Sequence, residues 1–307
     1  MPELPEVETI RRQLGPVLTG RSVVGLRSTW PKSLTGRGIG PESLTGRVFR
    51  EAWRRGKVLG LDLEGGVTLL VHLRMTGQLL FDPADPEGPP VEESSATRVV
   101  LDLDDGSRLV FNDQRKFGRL VVLPTAEVDR EPLLARMGPE PLAPGFDAAV
   151  LAAGLARHPG LRLKSALLDQ SVVAGVGNIY ADEALWHAGL HPERRCGALR
   201  RPDASALRDG IVTVLSEGVA RNGSTLRDYV DSRGGRGGYL EVAAVYGRTG
   251  LPCRRCGTPV VKTTVGGRGT HLCPVCQRAP RTRRPAAGRG GPAAGRGRSG
   301  RSARATG

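Results

Sequence analysis

Residues 163–188 read LKSALLDQSVVAGVGNIYADEALWHA. Two runs with helix-like spacing, 163–168 and 179–188, flank Val173-Ala174-Gly175-Val176-Gly177-Asn178. That hexapeptide is too rich in glycine for a helix interior. The stretch therefore reads as helix, two turns, helix. Glycines at 175 and 177 would let backbone amides approach an anion, with Asn178 at the mouth of the second helix. A lone GxGN is a weak signal of phosphate binding and needs context.

The context on the C-terminal side is helical up to residue 222, with further helices expected over 148–157 and 204–222. Ser232-Arg233-Gly234-Gly235-Arg236-Gly237-Gly238 follows and is expected to be a mobile loop. Then come Cys253-x2-Cys256 and Cys273-x2-Cys276, with sixteen residues between the pairs. Each pair puts two thiolates on one tight turn, and two such turns make the sulfur cage that zinc prefers. All four positions would be protein ligands, so one structural zinc is expected, with no open site for catalysis. The fifth cysteine, Cys196, lies outside the pattern. From residue 281 the chain is mostly Gly, Ala, Pro and Arg without an acidic residue, and such a composition cannot bury a core.

On the N-terminal side the pattern changes to strands. Runs at 67–73 and 98–103 are rich in β-branched and aliphatic residues. Asp104-Asp105-Gly106-Ser107 makes a hairpin turn into Arg108-Leu109-Val110-Phe111. One amphipathic helix is expected over 6–18, and a proline-rich loop over 82–97. The fold class is α+β: a strand-rich first part with a leading helix, a helix-two-turn-helix domain and a C-terminal zinc hairpin. The divisions are 2–135, 146–245 and 246–280, with a basic disordered tail at 281–307.

The chain has 307 residues, and Lys and Arg exceed Asp and Glu by 45 to 31, a net charge of +14. This favours a polyanionic partner, although the tail carries much of the excess. The start, Met1-Pro2-Glu3-Leu4-Pro5-Glu6, is acidic and broken by proline, unlike a secretory leader. No apolar run approaches the roughly 18 residues of a membrane helix. A cytoplasmic protein is expected, one whose cysteines serve metal rather than disulfides.

Set together, these segments resemble the formamidopyrimidine-DNA glycosylases. The resemblance rests on Pro2-Glu3-Leu4-Pro5-Glu6-Val7-Glu8, Lys57, His72-Leu73-Arg74-Met75-Thr76-Gly77, Asp113-Gln114-Arg115-Lys116-Phe117-Gly118, the run from Asp169 to Glu183, Val245-Tyr246-Gly247-Arg248 and the cysteine module. It covers about residues 2–280 and implies that the strand-rich part is a two-layer, mostly antiparallel β-sandwich with a leading helix, followed by the helix-two-turn-helix domain and the zinc hairpin. It implies a bifunctional glycosylase and abasic-site lyase of base excision repair. Its partner would be double-stranded DNA carrying oxidised purines (8-oxoguanine opposite cytosine, formamidopyrimidines) or abasic sites, bound by a monomer.

The resemblance also implies roles. Pro2, freed by removal of Met1, would be the nucleophile. Its secondary amine has an ordinary pKa near 7.7–8, so part of it is uncharged at neutral pH. Attack on the deoxyribose gives a cationic iminium, an electron sink that acidifies the C2′ protons. Glu3 would be the acid/base, Lys57 a proton donor during elimination, and Arg268 an aid to the second elimination. Glu6 would help hold the amino terminus. Met75, Arg115 and Phe117 would fill the void left by the extruded base, with Arg115 bonding the orphaned cytosine. Lys164 and Asn178 would grip phosphates, and Arg98 falls where many relatives carry a phosphate-binding histidine. The 232–238 loop would be a lid over the flipped base. Two rivals remain: an endonuclease VIII-like glycosylase for oxidised pyrimidines, and a non-catalytic DNA-binding zinc protein. The latter would have no reason to keep Pro2-Glu3 and Lys57.

Overall fold

The computed structural model describes residues 1–85 and 90–280. The expected tail at 281–307 lies outside the described residues.

Helix α1, Leu4–Leu18, opens the chain. It begins two residues earlier than the pattern suggests, because Pro5 sits in its first turn, where a missing N–H costs nothing. The strands that follow among the described residues are β1 Val23–Ser28, β2 Leu34–Gly36, β3 Phe49–Arg55, β4 Val58–Leu63, β5 Val67–His72, β6 Gly77–Asp82, β7 Thr97–Leu103, β8 Arg108–Asp113 and β9 Arg119–Pro124. They form two sheets, ordered β1-β7-β8-β6 and β2-β9-β5-β4-β3. The short β2 pairs in parallel with β9; the other strand pairs described are antiparallel. Leu59, Leu61, Leu69 and Val71 of one sheet and Leu79, Val99, Leu101 and Phe111 of the other share one core. This is the expected sandwich.

The second body is helical: α2 Ala148–Ala156, α3 Leu163–Leu168, α4 Asn178–His187, α5 Arg201–Ala220 and the short α6 Tyr239–Val242. Helix α2 starts where expected, capped by Asp147, whose carboxylate accepts from Val150 N at 2.8 Å. Helix α5 starts three residues earlier than expected; Pro202 again lies in the first turn, and Asp203 accepts from Arg200 N. Strands β10 Val261–Val265 and β11 Arg268–Leu272 form the finger hairpin.

Helix α1 joins the two bodies. Val7, Ile10, Leu14 and Leu18 belong to the sandwich core, whereas Leu4 belongs to the helical core with Val173, Val176 and Tyr180. Leu4 N also donates to Gly175 O at 3.0 Å. A Cβ on Gly175, whose φ is +80°, would lie 2.6 Å from Leu4 Cβ. Glycine there allows the amino terminus to lie against the two-turn loop.

Candidate active site and nucleic-acid interface

Between the bodies lies a cleft of about 870 Å³. Pro2, Glu3, Met75, Arg115, Asn178 and Arg268 line it, so the fold collects these expected residues from segments far apart in the chain. Pro2 and Glu3 are buried and Met1 is 51% exposed.

Glu3 is held by the start of α4. Its carboxylate accepts from Gly177 N at 2.7 Å and Ile179 N at 3.0 Å. A Cβ on Gly177 would fall 2.3 Å from Glu3 Cδ, so any larger residue there would displace the Glu3 carboxylate from these amides. The glycine-rich turn was expected to cradle a phosphate. Its amides instead cradle Glu3, while Gly175 N is bound by Gln170 Oε1. Free N–H groups at a helix start accept any anion, and a carboxylate of the same chain has reached them first. Burial pushes the Glu3 carboxyl up to about 7, against the opposing pull of Lys57. A carboxyl poised there exchanges protons readily at neutral pH.

Lys57, in the turn before β4, is buried rather than solvated. Burial lowers its affinity for a proton, and Glu3 and Glu6 oppose that shift. His72, at the end of β5, is pushed down to about 3 by burial, with Arg74 and Lys57 adding to the effect. Glu6 is the knot of the amino terminus. Its carboxylate accepts from Glu3 N at 2.6 Å, Tyr180 OH at 2.9 Å, and Ser224 N and Oγ at 2.7 and 2.8 Å.

At the rim, Met75 is 38% and Phe117 48% exposed, the surface position expected of a wedge. The Arg115 guanidinium lies 4.9 Å from the centre of the Phe117 ring. Asn178 donates to Gly269 O at 3.1 Å. Arg268 is exposed on β11, next to a turn in which Gly266 and Gly267 both have positive φ.

Three of the expected residues and segments lie in surroundings that the sequence did not indicate. Lys164 is fully buried; its ammonium lies 2.6 Å from Asp182 Oδ1 and donates to Gly269 O and Thr270 Oγ1. It therefore braces the Arg268 hairpin from within. Arg98 is also buried, its Nε donating to Asp113 O at 2.8 Å. The 232–238 loop is tied down rather than loose. Asp231 Oδ1 accepts from Arg233 N and Gly235 N, and Gln13 Oε1 accepts from Ser232 N and Oγ. The cleft is lined instead by the preceding segment, including Ser224 and Leu226, the latter 57% exposed.

Sequence reasoning gave no role to two neighbouring carboxylates of α4. Asp182 accepts from His271 N at 2.8 Å. Glu183 accepts from Ala244, Val245 and Tyr246 N at 2.7, 2.9 and 2.7 Å. The signal in the sequence was two adjacent acids in a run otherwise destined for burial, because buried charge requires partners.

The four cysteine Sγ atoms lie within 4.8 Å of one another. Cys253 and Cys276 are 3.9 Å apart, and Cys256 and Cys273 3.5 Å. A tetrahedron with bonds of about 2.3 Å has edges near 3.8 Å, so the cage fits zinc. Trp186 Nε1 and Arg255 N both donate to Cys253 Sγ, as suits a thiolate. The four cysteines hold a single structural zinc that seats the finger against α4.

A sandwich and a helix-two-turn-helix body, closed by a four-cysteine finger beside a shared cleft, define the class: zinc-stapled helix-two-turn-helix proteins. Three family models cover the chain in that order. They are the formamidopyrimidine-DNA glycosylase N-terminal domain (residues 1–120), the H2TH domain of the same proteins (137–230) and the zinc finger found in FPG and IleRS (250–279). The formamidopyrimidine-DNA glycosylase of Desulfitobacterium hafniense is 44% identical over 279 residues, 90% of this chain and 100% of the relative. That of Herpetosiphon aurantiacus is 46% identical over 283 residues, again 90% and 100%. The crystal structure of the MutM (FPG) protein from Thermus thermophilus shares 43% identity, with a TM-score of 0.81 over 90% of this chain and 98% of that one. The Lactococcus lactis Fpg in complex with DNA containing an abasic site shares 35% identity, with a TM-score of 0.81 over 90% and 100%. The chain belongs to the formamidopyrimidine-DNA glycosylase family.

Proposed function

We propose that this protein excises oxidised purines from duplex DNA and then cleaves the strand, with the amine of Pro2 as nucleophile. The observation that carries the reading is the position of Glu3. It follows Pro2 directly, at the floor of a cleft wide enough for a nucleotide, and its carboxyl is poised near neutrality.

Removal of Met1 frees the Pro2 nitrogen. Its lone pair attacks C1′ and the glycosidic bond breaks, with its electrons leaving on the base. Glu3 supplies and recovers protons as the sugar ring opens to the iminium. Loss of a C2′ proton then expels the 3′ phosphate. Lys57, buried beside Glu3 with a weakened hold on its proton, is the internal donor for these steps. Arg268, exposed on the finger, meets the backbone beside the lesion and assists the second elimination. Met75, Arg115 and Phe117 fill the void, with Arg115 facing the orphaned cytosine. Asn178 marks where the backbone crosses α4. The zinc is structural and takes no part in the chemistry.

The remaining assignments follow the same reading. The chain divides at 2–135, 146–245 and 246–280, followed by a basic tail, and acts as a monomer on DNA in the cytoplasm. No helix among the described residues is long and apolar enough to cross a membrane. Borohydride trapping tests the chemistry. Mature protein with 8-oxoguanine opposite cytosine should give a covalent adduct, and Pro2→Gly should lose most of it. Wild type that never traps, or full activity with Met1 retained, would refute the proposal. Stronger activity on an oxidised pyrimidine would place the chain with the endonuclease VIII-like enzymes.

A further inference from the structure

We propose that Thr76 and Asp113 form a clasp that locks the two wedge-bearing loops into one rigid unit. The inference rests on the glycosylase reading above and assigns positioning residues within it.

Met75 lies in the loop from β5 to β6, and Arg115 and Phe117 lie in the loop from β8 to β9. Each loop leaves one sheet and enters the other: β5 and β9 belong to the five-stranded sheet, β6 and β8 to the four-stranded one. The loops therefore cross the sandwich side by side. Gly77 at the start of β6 is paired with Asp113 at the end of β8.

Asp113 is fully buried. Thr76 Oγ1 donates to its Oδ1 at 2.5 Å. Arg115 N is shared between Asp113 Oδ1 and Thr76 Oγ1, each at 3.2 Å. Gly118 N donates to Oδ2 at 2.6 Å. The Asp113 carbonyl is held in turn by buried Arg98. One carboxylate thus ties the residue after Met75 to the residues bracketing Lys116 and Phe117. A Cβ on Gly118 would lie 2.4 Å from Phe111 Cζ, so glycine is needed for its amide to come this close.

The clasp has strain to restrain. Arg74 and Lys116, the residues just before Met75 and Phe117, have φ of +55° and +60° without being glycine. Left-handed backbone at two non-glycine residues persists only where surrounding bonds impose it. Lys116 Nζ also rests 4.4 Å from the centre of the Trp30 ring. The backbone that carries Met75 and Phe117 is thereby held in the free protein, so that ordering it is not left to the moment of base extrusion.

The test compares Thr76→Val, which keeps shape but removes the hydroxyl, with Thr76→Ser, which keeps it. Two substrates are used: duplex DNA with 8-oxoguanine opposite cytosine, and a single-stranded oligonucleotide with an abasic site, which leaves no void to fill. Thr76→Val should slow single-turnover base release from the duplex by about tenfold, the scale of one lost hydrogen bond to a charged group. Cleavage of the single strand should stay within about twofold, and Thr76→Ser should restore the duplex rate. In a background lacking all three insertion side chains (Met75→Ala, Arg115→Ala and Phe117→Ala), Thr76→Val should add little, because the clasp acts through those side chains. Equal slowing on both substrates, or on neither, overturns the clasp. Wild type inactive on both substrates would instead overturn the glycosylase reading, and the clasp with it.

Discussion

Glu3 shows how far one residue can depart from its free chemistry. Its pKa is raised from 4.5 to about 7, chiefly by burial. The native protein thus holds this proton more tightly than the unfolded chain does. The associated stability is complete below pH 4.5 and is lost as pH rises through 7, by roughly 3 kcal/mol at most. Glu3→Gln never ionises. Its Tm relative to wild type should therefore rise between pH 5 and pH 8 in paired thermal melts; a constant difference would show that Glu3 does not titrate there. Pro2, Glu3 and Lys57 were singled out by the resemblance of their ordered motifs to one family. The environment that equips them was not legible, since the amides that hold Glu3 come from Gly177 and Ile179 at the start of α4, far along the chain from residue 3.

Helix α4 is the element on which the site depends. Its start holds Glu3, its middle holds Lys164, His271 and the 244–246 backbone, and its end holds Cys253 through Trp186. Removing one member of a buried ion pair leaves the other charge without compensation, a loss of about 3–5 kcal/mol. Lys164→Ala should destabilise the protein by that amount, and Asp182→Asn in the same chain should recover part of it. Chemical denaturation measures both. Because Lys164 faces the protein interior, a Lys164→Met variant that folds should leave the salt dependence of DNA binding unchanged. Arg268→Ala should reduce that slope by about one. A reduced slope for Lys164→Met would return the residue to the interface. Helix positions were largely legible from periodicity. The early starts of α1 and α5 were not, because proline reads as a breaker until its place in the first turn is known.

Across the whole molecule, the finger is a small body seated on a larger one. Gln277 Nε2 donates to Leu190 O at 3.0 Å, and Arg255 stacks 4.3 Å from the centre of the Trp186 ring. Zinc removal should therefore unseat Arg268 while leaving the sandwich folded. A chelator-stripped protein should keep its far-UV strand signal, bind duplex DNA at least about tenfold more weakly, and recover with added zinc. Unchanged affinity after verified metal loss would separate the finger from the interface.

Periodicity, glycine placement and cysteine spacing reveal the strand-rich first part, the two-turn helical body and the zinc cage, because each depends on neighbours a few positions away; the candidate residues of the chemistry came from the resemblance of the ordered motifs to one family. Which partner a charge or amide takes depends on residues that only folding brings together from distant parts of the chain. So it emerges only on folding that the Gly177 turn binds Glu3 rather than phosphate, that Lys164 turns inward to Asp182, and that Thr76 meets Asp113. Hydrogen bonds and ion pairs are short-ranged and directional, and no local pattern encodes which distant group arrives first.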